Sequence, residues 1–430
     1  MLLYSTGDNS ARVSMREAVL RGLAPDGGLY MPLHIPHLPA DFFTRLPSLS
    51  LQEIGIEVAG AFFGDEVLAA ELRGIVERAI NFDAPLVTLD ESTSVLELFH
   101  GPTLAFKDFG ARFMAQLMSY FARDSKREIT ILVATSGDTG SAVASGFLGV
   151  PNIRVVILYP SGKVSPLQEK QLTTMGGNIT ALEVNGVFDD CQRLVKQAFV
   201  DPELSARLQL ASANSINIAR LIPQSFYYFY AVGRLGGARP IAISVPSGNF
   251  GNLTAGLIAK RMGLQVTRFI AATNANDVFG QFLQTGRFEP RASKETISNA
   301  MDVGNPSNFA RMRELYPALE DMRRDIVSFS FSDKETRAAI GRVFKKIGYI
   351  LDPHGAVSYL GFQTYLADHP DSRGIVLETA HPAKFPEVVE AELGKKIETP
   401  ARLAAYAKKE KVSTRIDADF DALKTFLMRF

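Results

Sequence analysis

Cysteine is nearly absent from these 430 residues, with Cys191 the only one. An internal disulfide is impossible, and a lone thiol fits a reducing compartment. Cys191 lies in FDDCQRLVKQAF, where apolar residues recur at helical spacing, so a packed thiol is expected rather than a nucleophile. Excess charge is missing too: 46 Lys and Arg against 46 Asp and Glu leave a formal net charge of zero. The basic surplus of a nucleic-acid binder is therefore lacking. No apolar stretch reaches the length of a membrane span. The opening MLLYSTGDNS has no basic segment followed by an apolar run, so no secretory signal is expected and the cytoplasm follows by default. Metal chemistry lacks its residues: none of His34, His37, His100, His354, His369 and His381 sits at i, i+4 from another on a plausible helix. There is no GxxxxGK[ST] and no GxGxxG, which argues against a nucleotide-hydrolysing P-loop and a dinucleotide site.

What is present is a globular composition, 46% hydrophobic and 21% charged, on a chain longer than one core usually serves. Two or three domains are expected. Residues 1–95 mix short apolar clusters with loop signals such as APDGG and HIPHLP, which reads as an irregular N-terminal cap. From about 129 short β-branched runs end in small residues and lead into amphipathic segments. ITILVA (129–134), RVVILY (154–159), PIAISV (240–245), RFIAAT (268–273) and GIVLET (374–379) are the strand parts. This rhythm predicts an α/β architecture with two open, twisted, parallel sheets. A large domain is expected over 96–125 and 213–390, with a smaller α/β domain, 126–212, inserted into it. Residues 391–430 read as a C-terminal segment. Ligands of such sheets bind beyond the carboxyl ends of the strands.

The Gly/Ser-rich loops fall at those ends. PSGNFGN (246–252) has two glycines and small residues that let backbone N–H groups face one concavity, with a helix predicted from about Asn252, a good N-cap. Free N–H groups and the helix dipole favour a phosphate there, although one such loop is equally a tight strand-to-helix turn. TSGDTG (135–140) repeats the arrangement with the hydroxyls of Thr135, Ser136 and Thr139; alternatively Asp138 and Thr139 merely cap a helix. Lys107 stands among Leu104, Ala105 and Phe106 at the start of an amphipathic helix whose buried face is predicted to carry Phe109, Phe113, Leu117 and Phe121. Desolvation and the helix dipole both disfavour its ammonium form, and a neutral amine is what Schiff-base chemistry needs. Alone, Lys107 is better explained as a surface lysine whose stem lies on Phe106. A reactive lysine combined with a phosphate cradle points to pyridoxal phosphate, a cofactor held by an imine and by a phosphate. Thr379, at a third strand end, is then a hydroxyl partner for the pyridine nitrogen.

HGPTLAFKDFG, TSGDTGSA, YPSGKVSPLQEKQ, NSINIARL, VPSGNFGN, IAATNAND, SNAMDVGNPSN and TAHPAKF together resemble the threonine synthase family, in its long bacterial and fungal form. The resemblance runs from LYST (3–6) to near the C-terminus. It implies the pyridoxal-phosphate fold type II, the tryptophan synthase β-like architecture, with an added N-terminal domain. It also implies conversion of O-phospho-L-homoserine and water to L-threonine and phosphate, the last step of threonine biosynthesis. Residue by residue it implies Lys107 as Schiff-base lysine and general base; Gly248, Asn249, Phe250 and Asn252 around the cofactor phosphate; and Thr379 at the ring nitrogen. Asp138 would face the cofactor hydroxyl, where many relatives of the fold carry Asn. Thr135, Ser136 and Thr139 would take the substrate carboxylate, and Asn214, Ser215 and Arg220 the substrate phosphate, with Lys163 as a helper. A small-molecule substrate is expected as the only partner, with neither nucleic acid nor membrane, and a monomer rather than a dimer. The rival readings are a phospho-lyase releasing a keto acid, a serine or threonine dehydratase lacking the second phosphate site, and a catalytically silent binding protein of the same fold.

Overall fold

The computed structural model describes all residues except 124 and 126. The predicted strands form where β-branched runs allow them to be buried on both faces. Ile241–Pro246, Arg268–Thr273 and Arg373–Glu378 lie at the centre of a six-stranded sheet. Its order is Ile326–Ser330, Arg268–Thr273, Ile241–Pro246, Arg373–Glu378, Thr93–Glu97, Leu86–Thr88, parallel except for the last strand. Helix Pro353–Asp368 packs along three of these strands, setting Phe362 and Tyr365 against Ala242, Ile270 and Val376. Gly374 makes this approach possible: a Cβ there would lie 2.2 Å from the Phe362 ring.

The second sheet is parallel throughout, in the order Thr414–Asp417, Ile179–Asn185, Ile153–Pro160, Ile129–Ala134, Gln209–Ser212. Its outer strand comes from beyond residue 391, so the C-terminal segment completes this sheet. Helix Phe420–Leu427 then packs on Phe188–Val200 and encloses Cys191 with Leu194, Leu423 and Leu427. Burial pushes the Cys191 thiol up to about 12, so it is a packing group and not a nucleophile.

The N-terminal residues are more regular than the sequence suggests. A three-stranded antiparallel sheet (Leu2–Ser5 between Val13–Ser14 and Tyr30–Pro32) has helix Met15–Arg21 between its second and third strands in chain order and is followed by three more helices, of which Leu51–Phe63 is the longest. A capping box between Ser50 and Glu53 opens that helix, and Leu51, Ile54, Val58 and Phe62 form its buried stripe. Gly and Pro connectors interrupt the pattern between helices, which is why it reads as irregular.

Helix Lys107–Ala122 begins at Lys107. Phe109, Phe113, Leu117 and Phe121 are buried as predicted, and so are Ala111, Met114, Ala115 and Met118. This is a core helix rather than an amphipathic surface one. Among the described residues, no helix is long and apolar enough to cross a membrane.

Candidate active site

Lys107 is held by its own loop. The segment after strand Thr93–Glu97 is zipped to the segment after Arg373–Glu378. Leu98 N donates to Glu378 O at 2.9 Å, Phe106 N to Thr379 O at 2.9 Å, and His381 N to Leu104 O at 3.1 Å. Leu104 takes a left-handed backbone (φ 59°) to make this turn, a conformation costing on the order of 1–3 kcal/mol outside glycine. Thr103 then clamps the helix start, its N–H and hydroxyl each donating to Asp108 at 2.8 Å. Burial pushes the Asp108 carboxyl up to about 6 against these two bonds. Thr379 is buried beside this zip, fixed by its own carbonyl.

Two cations and a carboxylate act on the Lys107 amine. Desolvation is the main reason its ammonium is pushed down to about 8; Asp138 opposes that shift, and Lys384 and Arg220 add to it. Asp138 is buried, with Lys384 Nζ at 2.5 Å and Gln168 Nε2 donating to it at 2.8 Å. Burial alone would raise the Asp138 carboxyl, but Lys384, Lys107 and the Gln168 amide hold it well below the usual carboxylate range. Arg220 is 2% exposed. Its Nη1 donates to Ala213 O, while its Nε is buried without a partner.

The 246–252 loop ends in Phe250 with a left-handed backbone (φ 58°), and the helix starts at Gly251. Asn252 is therefore not the N-cap. It sits in the first turn with its Oδ1 accepting from Tyr227 and Tyr228 hydroxyls at 2.6 and 2.7 Å, while its Nδ2 is buried and unpartnered. The cap falls to Phe250 because the left-handed turn already delivers the chain into the helix. Asn249 ties the loop down: its Nδ2 donates to Ser215 Oγ at 2.7 Å, and its Oδ1 accepts from Ser307 N at 2.6 Å. Asn308 Nδ2 donates to Asn249 O at 3.2 Å, and Arg311 holds Asn308 while donating to the carbonyls of Ile216 and Tyr30. Gly248 has no room for a side chain, since a Cβ would lie 2.7 Å from Met301 Cα. First-turn N–H groups, which lack intrahelical acceptors, unpartnered donors on Asn252 and Arg220 and a desolvated amine on Lys107 together fit pyridoxal phosphate.

The remaining predicted residues divide. Thr135 Oγ1 accepts from Gly137 N at 3.0 Å and Gly140 N at 2.9 Å, shaping the turn into helix Asp138–Phe147. The cap there is Gly137, so Asp138 does not cap the helix; its carboxylate faces the two lysines instead. Ser136 and Thr139 are half-buried on the same turn. Asn214 Nδ2 donates to Ala134 O at 2.9 Å, joining the NSIN segment to the end of strand Ile129–Ala134. Ser215 Oγ accepts from Asn249 Nδ2 at 2.7 Å, which joins the NSIN segment to the 246–252 loop. Lys163 is exposed.

Three family models match the chain. Residues 3–80 match the threonine synthase N terminus, 83–377 the pyridoxal-phosphate-dependent enzymes, and 356–427 the threonine synthase C-terminal region. A threonine synthase of Escherichia coli is 47% identical over 435 aligned residues, covering 100% of this chain and 99% of the relative. The chain belongs to the threonine synthase family. It is a pyridoxal-phosphate-dependent lyase of fold type II, and its cofactor is pyridoxal phosphate. The crystal structure of the Escherichia coli threonine synthase superposes with a TM-score of 0.93 at 46% identity, covering 100% of both chains. That of the yeast threonine synthase superposes at 0.92 and 33% identity, covering 99% of this chain and 98% of that one. Maize serine racemase shares the fold at 16% identity and a TM-score of 0.54, over 72% of this chain and 92% of that one.

Against this threonine synthase framework, the sequence reading missed the supporting groups. Lys384, Gln168, Asn308 and Arg311 all lie within or beside motifs that carry the resemblance, but no role attached to them. A signal existed for Lys384: in HPAKF it stands among apolar residues, as Lys107 does in LAFKDF. His100 and His381 serve structure. The first pairs with Glu97 Oε2 at 2.7 Å, and Nδ1 of the second accepts from Ala383 N at 3.1 Å.

Proposed function

We propose that this chain divides its work among three strand ends, with Lys107 carrying the cofactor and moving the proton at the substrate α-carbon. The observation that supports this is the enclosure of the Lys107 amine, whose ammonium is brought down to about 8 and so reaches the neutral form close to neutral pH. A neutral amine is the species that bonds a carbonyl and accepts a proton. When bound, the cofactor supplies an electron sink for bonds to the α-carbon.

The other roles follow from position. Gly248, Asn249, Phe250 and Asn252 form the cradle for the cofactor phosphate. Thr379 presents a neutral hydroxyl to the ring nitrogen, and Asp138 faces the ring hydroxyl. Thr135, Ser136 and Thr139 take the substrate carboxylate. Arg220 takes the substrate phosphate, its planar fork suiting a dianion, with Asn214 and Ser215 shaping the wall beside it. Two separate anion sites suit O-phospho-L-homoserine, which has a carboxylate at one end and a phosphate at the other. A single buried thiol suits a reducing cytoplasm.

The test follows phosphate and threonine together, with O-phospho-L-homoserine as substrate. Equal release of both is expected. Phosphate appearing without threonine would instead make the chain a phospho-lyase.

A further inference from the structure

Two lysines, Lys107 half-buried and Lys384 buried, converge on this site, and only the first is accounted for by the reaction. Lys384 is 1% exposed, on the 3-10 turn Pro382–Lys384 that follows strand Arg373–Glu378 of the large sheet. Its Nζ donates to Thr103 O at 2.9 Å and lies 2.5 Å from Asp138 Oδ1. Asp138 opens a helix of the smaller sheet's unit, and Gln168 of helix Pro166–Thr173 holds the same carboxylate oxygen. The pair therefore joins the two halves of the molecule at the level of Lys107.

Resting on the assignment of Lys107 above, we propose that Lys384 is a positioning residue: it neutralises and aims Asp138 so that this carboxylate does not capture the Lys107 amine as an ion pair. A buried carboxylate needs a cation close by. Lys107 and Lys384 both act on Asp138. With Lys384 in contact, Asp138 is satisfied and Lys107 is released for chemistry. Without Lys384, Asp138 would turn to Lys107 and hold it as ammonium.

The charged groups facing Lys107 come from every neighbouring element. Asp138 lies on the small-unit helix, Arg220 on Ile218–Leu221 and Lys384 on the 382–384 turn, while Asp108, next to Lys107 in sequence, acts on Arg220. His381 joins Lys384 on that turn, and burial lowers its pKa. Asp138 alone among those acting on Lys107 raises its affinity for a proton, whereas Lys384 and Arg220 lower it. Removing Lys384 thus favours the ammonium form twice, by deleting a repulsion and by freeing an attractor.

The experiment is competitive acetylation of the full chain, freed of cofactor, across pH, with the Lys107 peptide quantified by mass spectrometry. Lys384→Met is expected to raise the Lys107 titration midpoint by one unit or more, a tenfold loss of free amine near neutral pH. Asp138→Asn should lower the midpoint. The double variant Asp138→Asn with Lys384→Met should return it to within about half a unit of wild type, and Lys384→Arg should leave it near wild type. In the cofactor-loaded enzyme, kcat should fall in Lys384→Met and recover in Lys384→Arg. An unchanged midpoint in a natively folded Lys384→Met would overturn the proposal. If that variant does not fold, an Asp138→Asn midpoint that fails to drop would overturn it as well. Labelling reads the amine without the cofactor, so this outcome stands apart from whether Lys107 carries the cofactor at all.

Discussion

Replacing Arg220 by Met keeps most of the side chain's length and removes its charge and its fork. This guanidinium is buried, and desolvation lowers its pKa to about 10, with Asp108 opposing the shift. One Nη donates to Ala213 O, and Nε has no partner. Gly110 lets the backbone come close: a Cβ at that position would lie 2.6 Å from Arg220 O and 2.9 Å from its Nε. A desolvated cation with an unpartnered Nε is an arrangement that favours ligand over stability. An apolar replacement of similar volume is often neutral or stabilising at such a site. Arg220→Met should therefore leave the melting temperature of the cofactor-free chain unchanged or raised. Binding of O-phospho-L-homoserine should weaken by roughly 2–5 kcal/mol, the range for truncating one partner of a buried charged contact. That corresponds to roughly 30-fold to several-thousandfold in affinity. Arg220→Lys retains charge without the fork and should fall between. The assays are thermal unfolding and kcat/KM for phosphate release, with cofactor absorbance as a control that should hardly move. Wild-type kcat/KM in Arg220→Met would remove this residue from the substrate site.

Two further outcomes follow from the same geometry. The Lys107 pKa of about 8 lies below the ordinary 10.5, so between these values the unfolded chain binds the extra proton and stability rises with pH. Below pH 8 the cofactor-free Lys107→Met variant should be more stable than wild type by about 1–3 kcal/mol, the gain fading toward pH 10.5; a gain that does not change with pH in denaturant melts would contradict this. Gly248→Ala should cost more than about tenfold in cofactor affinity, because its Cβ would meet backbone at Met301 and Ala300 rather than a movable side chain; fluorescence titration with unchanged circular dichroism checks it, and wild-type affinity would place the cradle elsewhere.

The strands and the site loops were legible because both rest on local patterns. ITILVA and RFIAAT coincide with Ile129–Ala134 and Arg268–Thr273, since a run buried on both faces of a parallel sheet carries its signature in every residue. Lys107 was legible from its apolar neighbours and the helix that starts on it. The partner of Asp138 was not, because Lys384 lies 246 positions along the chain and reaches it only through the zip between residues 98–106 and 378–381. The misassigned cap at Asn252 has a local cause. Phe250 adopts a left-handed backbone that sequence preference assigns to Gly or Asn, and Asn252 is then free to turn inward to two tyrosines. The N-terminal helices escaped notice because their stripes are short and punctuated by turn residues.

The central claim is that Lys107 carries the cofactor, and reductive trapping tests it most directly. The purified protein, loaded with pyridoxal phosphate, is treated with borohydride and digested, and its peptides are weighed. The account predicts a yellow protein that loses its colour on reduction and carries the added cofactor mass on the peptide containing Lys107. A label on another lysine, Lys384 above all, or a protein that stays colourless with cofactor present, would contradict it.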